Sequence, residues 1–191
     1  MKINLRLLLW IVFFSFFSCK KAEQKLIDDG FITYTIPQGG HYSDNSKLVM
    51  LSAISELKFT VVFDGSAKYI SALPENQLDI NKLYGFSDNN TQHHENSARI
   101  GWRWNEDELQ LFAYIYNNSV RSFQYIKSVS LNDEINCSIK IEANKYVFTV
   151  DGTTIEMPRF STSPNGYKLY PYFGGDEVAP HKILIRIKEI K

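Results

Sequence analysis

The feature that most constrains this chain is a hydrophobic period of two near its C-terminal end. Ile135, Cys137, Ile139 and Ile141 alternate with Asn136, Ser138, Lys140 and Glu142. Tyr146, Phe148 and Val150 follow in the same rhythm, then Asp151-Gly152, then Ile155 and Met157. A strand sends alternate side chains to opposite faces, so this pattern predicts strands with one buried face, and Asp-Gly predicts the tight turn of a hairpin. Ile183, Ile185 and Ile187 repeat the pattern. Earlier, Phe59, Val61 and Phe63 alternate with Thr60, Val62 and Asp64. No long stretch carries a helical stripe, and Pro74 to Leu83 reads as a helical turn or a long loop. Many short strands separated by turn residues predict an all-β fold, an antiparallel β-sandwich in which each sheet buries one face on the other.

The start of the chain reads differently. Lys2 and Arg6 precede an apolar run from Leu7 to Phe17, broken by Ser15, and Ser18 stands before Cys19. Basic, apolar, then small is the order of a secretory signal, and the run is too short to span a bilayer as a helix. Cysteine after the small residue suggests a lipobox. The expectation is a signal peptide over residues 1–18, a lipid on Cys19, a polar tether over 19–30 and one domain over 31–191. The other reading is a plain cleaved signal with an incidental cysteine. Lipidation implies a membrane-anchored protein of the cell envelope, and the lack of aspartate after Cys19 favours the outer membrane.

Cleavage removes two basic residues and no acid, leaving 19 basic against 21 acidic. No basic excess points to nucleic acid. With Cys19 lipidated, Cys137 has no disulfide partner in its own chain and reads as a small buried hydrophobe. A monomer is expected.

Two segments carry the candidate chemistry. In Ser97-Ala98-Arg99-Ile100-Gly101-Trp102-Arg103-Trp104, parity puts Ser97, Arg99 and Arg103 on one face and Ile100, Trp102 and Trp104 on the other. In Leu109 to Tyr116, Gln110, Phe112, Tyr114 and Tyr116 share the face opposite the aliphatics. Asn105-Glu106-Asp107-Glu108 joins the two as a hairpin turn. Arginines and aromatics then lie side by side on an open face. Guanidinium grips carboxylate bidentately and an aromatic ring covers the apolar face of a pyranose, so the mixture suits an acidic glycan. Tyr and Arg are also common on a solvent-facing sheet, where Arg covers rings by cation–π contact.

The segment Asn81-Lys82-Leu83-Tyr84-Gly85-Phe86, with Ser97-x-Arg99 and Tyr114-x-Tyr116, resembles the concanavalin A-like jelly-roll polysaccharide lyases, polysaccharide lyase family 14 in particular. That family has K-L-x-G in a loop, S-x-R on one strand and Y-x-Y on the next. It cleaves uronic-acid polymers such as alginate or glucuronan by β-elimination. The resemblance covers about residues 81–116. It departs at Tyr84, where the family has proline, at Phe86, and at Ser87-Asp88-Asn89-Asn90, which replaces a glycine-rich stretch. It implies a jelly roll with Lys82, Arg99, Tyr114 and Tyr116 as catalytic residues, Ser97 as a substrate contact, and an anionic polysaccharide as partner. Tyr114 or Tyr116 would serve as base or acid with a pKa lowered by Arg99 and Lys82, or Lys82 would be the base.

Other residues extend the candidate surface. His93 and His94, if on a strand, point to opposite faces and share no ion, and no histidine pair has zinc spacing; each reads as a cleft-edge contact. Lys168, Tyr170 and Tyr172 alternate on one face. Asp176 and Glu177, framed by Gly174-Gly175 and Pro180, read as a cleft wall, as a calcium site or as a plain turn. No other cofactor is expected. The competing readings are a non-catalytic carbohydrate-binding, lectin-like protein and a structural surface lipoprotein without a sugar ligand. Glycoside hydrolysis needs two facing carboxylates, which these segments do not supply.

Overall fold

In the computed structural model, residues 29–191 are described. The signal segment 1–18, Cys19 and most of the 19–30 tether lie outside the described residues. The chain forms strands β1 (Ile32–Ile36), β2 (Met50–Leu51), β3 (Glu56–Phe63), β4 (Asn81–Ser87), β5 (Ser97–Asn105) and β6 (Glu108–Asn117). These are followed by β7 (Val120–Val129), β8 (Ile135–Glu142), β9 (Lys145–Val150), β10 (Thr153–Pro158), β11 (Gly166–Leu169) and β12 (Ile183–Ile190). They make two six-stranded sheets, ordered β1-β12-β3-β8-β9-β10 and β2-β11-β4-β5-β6-β7, and every pairing is antiparallel.

The period-two faces meet between the sheets. Ile135, Cys137, Ile139, Tyr146, Phe148 and Val150 from one sheet pack against Phe86, Ile100, Trp102, Leu109 and Leu111 from the other. Full burial of each large side chain is worth about 1.5–3 kcal/mol. Burial pushes the Cys137 thiol up, which makes it an inert core residue.

The hairpins form where the sequence places them. Glu106 and Asp107 both take positive φ (53° and 59°), as a two-residue turn matching strand twist requires. Asp151 and Gly152 do the same at 42° and 79°. The stretch after Pro74 is a short 3-10 turn (Pro74–Leu78), and β4 begins three residues later. The K-L-x-G segment is therefore strand, not loop. Its glycine has a steric reason: a Cβ on Gly85 would lie 2.1 Å from the Ala98 carbonyl oxygen and 2.7 Å from the Arg99 Cα.

A buried ionic clamp ties the end of β4 to the chain after β10. The Arg159 guanidinium donates to both Asp88 oxygens at 2.6 and 3.1 Å, and the Tyr146 hydroxyl donates to Asp88 at 2.5 Å. The Asp88 side chain is fully buried.

Candidate functional site

The outer face of the β2-β11-β4-β5-β6-β7 sheet carries a groove of about 450 Å³. Lys82, Arg99, Tyr114 and Tyr116 all line it, as do His93, His94, Tyr170 and Tyr172. Strand register explains the convergence. Arg99 on β5 stands opposite Tyr114 on β6, and Ser97 opposite Tyr116. Lys82 joins them through a register shift between Lys82 and Tyr84 on β4. Without it, parity would send Lys82 to the face of Tyr84, which is buried in the core. A bulge of this kind re-aims a side chain.

Lys82 is held from three sides. Its ammonium donates to the Gly174 carbonyl at 2.7 Å. It lies 5.4 Å from the Tyr114 ring centre and 5.5 Å from that of Tyr172. Tyr172 is fixed by a reciprocal backbone pair with Lys82, each N–H donating to the other's carbonyl at 2.9 Å. Burial, then the Arg99 charge, lowers the Lys82 pKa to about 8.

Arg99 lies on the groove floor at 7 % exposure. Its Nε is buried without a hydrogen-bond partner. Burial lowers its pKa to about 10, which leaves it fully cationic at neutral pH. Tyr114 shifts opposite to the expected direction. Burial raises its pKa, and contact with the Tyr116 hydroxyl adds to this, outweighing the pull of Arg121 and Arg99. Tyr114 is therefore protonated at neutral pH.

His93 and His94 sit in a turn, not on a strand. The Glu95 and Asn96 amides both donate to the Gln92 carbonyl, which curls the chain. Both rings consequently face the groove, 4.3 Å apart. His93 Nδ1 lies 3.0 Å from the Tyr167 hydroxyl, and burial with nearby Arg99 lowers the His93 pKa to about 4. It is neutral at neutral pH.

Four expected contacts are placed elsewhere. Ser97 is fully buried, and its hydroxyl donates to the His93 carbonyl at 2.7 Å, so it supports the His93 turn from below. Arg103 donates to Gln110 at 2.7 Å and to the Leu78 carbonyl at 3.1 Å, and its guanidinium lies 4.9 Å from the Phe112 ring centre. Arg103, Gln110 and Phe112 share the sheet face but lie beyond the groove lining. The Asp176–Glu177 pair is split. Glu177 accepts from the Ala72 and Leu73 amides and from Asn76 at 2.8–2.9 Å and is not among the groove-lining residues, while Asp176 stands on the groove wall. Among the described residues no group of three or more His, Cys, Asp or Glu is placed to hold a metal ion.

Sequence reasoning missed Arg121, Tyr167 and Tyr42, all on the groove wall. Arg121 stands opposite Tyr116 in the β6–β7 pairing, so a register for that hairpin, set by the Asn118-Ser119 turn, was the available signal.

No protein-family model matches this sequence, and no curated protein is similar to it. Solved structures are. The alginate lyase AlyC3 aligns with a TM-score of 0.57 at 9 % identity, over 84 % of this chain and 74 % of that one. The marine PL7 alginate lyase AlyA1 from Zobellia galactanivorans gives 0.50 at 13 % identity, over 85 % and 76 %. The endo-1,3-β-glucanase (laminarinase) catalytic domain from Thermotoga petrophila gives 0.54 at 9 %, over 85 % and 77 %. The fold is a concanavalin A-like jelly roll. Alginate lyases and a glucanase share it with this chain at 13 % identity or less, so the likeness shows the fold and selects no function.

Proposed function

We propose that this jelly roll binds a uronic-acid-containing polysaccharide in the groove and cleaves it by β-elimination. The observation that carries the reading is Arg99: a cation on the groove floor, with its Nε unpaired, beside Lys82 and Tyr114 whose proton affinities are shifted in opposite directions. Opposed shifts within one site are the usual mark of an acid and base pair.

The chemistry follows from those shifts. Arg99 neutralises the uronate carboxylate, which makes the C5 proton more acidic and stabilises the charge that develops on its removal. Lys82, in its neutral form, takes that proton. The C5–H electron pair forms the C4–C5 double bond, and the C4–O glycosidic bond breaks. Tyr114 donates its proton to the departing oxygen, and Tyr116, against it, relays the replacement. His93 and His94, with Tyr170 and Tyr172, bound the sugar on either side.

Hydrolysis, the reaction of the glucanase neighbours, is less favoured. It needs two carboxylates across the bond, and Asp176 is the one carboxylate among the described groove residues.

The test is incubation with alginate and with glucuronan, followed by ultraviolet absorbance of the unsaturated product. New absorbance, lost in Lys82→Met, supports the reading. Binding without absorbance makes the protein lectin-like, and no binding to either polymer leaves a structural role. We also propose that the protein is lipid-anchored in the cell envelope through Cys19, at the outer membrane. Incorporation of labelled fatty acid that persists in Cys19→Ser would refute that.

A further inference from the structure

We propose that the sheet surface beyond the groove, formed by Phe123 and Tyr125 beside the buried Phe112 and flanked by Arg121 and Arg103, carries further sugar units of the same acidic chain, so that the protein grips a segment longer than its groove. This rests on the groove being an anionic-glycan site.

Register places these side chains on one face. Across β6 and β7, Tyr116 stands opposite Arg121, Tyr114 opposite Phe123, and Phe112 opposite Tyr125. The rings form a continuous row from the groove outward. Tyr114 to Phe123 is 6.5 Å between ring centres, Phe123 to Phe112 is 6.2 Å, and Phe112 to Tyr125 is 5.8 Å. Tyr114 is itself a groove residue, so the row begins at the groove; Tyr114 and Phe112 are its buried rings, and Phe123 and Tyr125 its exposed ones.

Burial does not account for the outer rings. Phe123 is 47 % exposed and Tyr125 48 % exposed, on a strand at the edge of its sheet whose first six residues are all exposed. An edge strand is usually protected with charge or proline rather than aromatic rings. Strand β7 has aromatic side chains at the two positions that continue the groove.

Polar contacts hold part of this surface in place. The Tyr125 hydroxyl lies 3.0 Å from that of Ser128, which donates to Glu108 at 2.5 Å. Arg103 is held by Gln110 and the Leu78 carbonyl and lies over Phe112. Rings fixed before binding lose little freedom when a ligand stacks on them. Guanidiniums beside the aromatic row, Arg121 next to the groove and Arg103 over Phe112, match a chain that alternates apolar ring faces with carboxylates. An apolar protein segment would gain from the rings but not from the arginines, so the glycan is the better fit. Exposed Arg121 belongs to both groove and outer surface and would meet the carboxylate of the sugar that passes between them.

The experiment measures affinity by calorimetry for alginate and glucuronan oligosaccharides of graded length. It compares the wild-type protein, the double variant Phe123→Ala with Tyr125→Ala, and Arg99→Gln. Wild-type affinity should rise with chain length by about tenfold or more beyond the shortest oligomer bound. The double variant should keep wild-type affinity for the shortest and lose the gain. Length dependence unchanged in the double variant, or absent from the wild type, overturns the proposal while leaving the groove reading standing. A double variant that differs only in self-association, by light scattering, makes the surface a contact between copies and also overturns it. Wild-type protein that binds no oligomer, or Arg99→Gln that binds all of them as before, sinks the groove reading itself.

Discussion

If Lys82 is the base, the pH dependence of cleavage is set by its burial beside Arg99. With a pKa of about 8 in the groove, about one-tenth of Lys82 is neutral at pH 7, against roughly one part in 3,000 at its ordinary value of 10.5. The groove thus enlarges the reactive population roughly 300-fold. Because the lowered group must lose its proton to act, log kcat/KM should climb with a slope of about one below pH 8 and flatten above it. The perturbation is Arg99→Gln. Arg99 is the strongest charge lowering the Lys82 pKa, so its removal should move the bend to higher pH as well as lower the rate. The assay is initial-rate absorbance of unsaturated uronate from pH 4 to 10. A bend near pH 4 would identify neutral His93 as the base instead. Activity that persists in Lys82→Met would exclude Lys82 as the base. Either result refutes the assignment.

Two further outcomes concern the fold. Asp88→Ala leaves Arg159 buried and unpaired, which should cost about 3–5 kcal/mol in urea unfolding, a loss that Asp88→Ala combined with Arg159→Met should partly recover. Arg99→Met removes a buried, unpaired donor and should raise stability, on the order of 1–3 kcal/mol, while abolishing uronate binding; unchanged binding would mean the floor cation is not the carboxylate's partner.

What could be read from the sequence was parity, and what could not was register. Alternation identified the faces of Ile100 and Trp102, of Tyr114 and Tyr116, and of the C-terminal isoleucines, because burial of one face leaves a period of two in the residues themselves. Parity says which side a residue points to, but not what stands beside it. Arg99 and Arg103 share a face, yet one lies free on the groove floor and the other is held by Gln110 and Phe112. That difference comes from where β4 and the Pro74–Leu78 turn cross β5. Lys82 shows the same limit more sharply. Strict alternation carries it to the wrong face, and a single-residue register shift corrects it.

The unread parts are also the ones that give the site its chemistry. Ser97 spaced correctly from Arg99 looks like a ligand contact, but its burial makes it the prop of the His93 turn. The two histidines were legible as loop or cleft-edge residues but not as a facing pair, and that turn brings both rings to the groove. Arg121 and Phe123 lie on an exposed edge strand, where no burial pattern marks them, and only their pairing with Tyr116 and Tyr114 connects them to the site. A core residue is constrained by the sheet it covers and so leaves a periodic trace. A site residue here is constrained by cross-strand neighbours more than a dozen residues from it in several cases, and one bulge decides whether the cation, the guanidinium and the phenol meet at all.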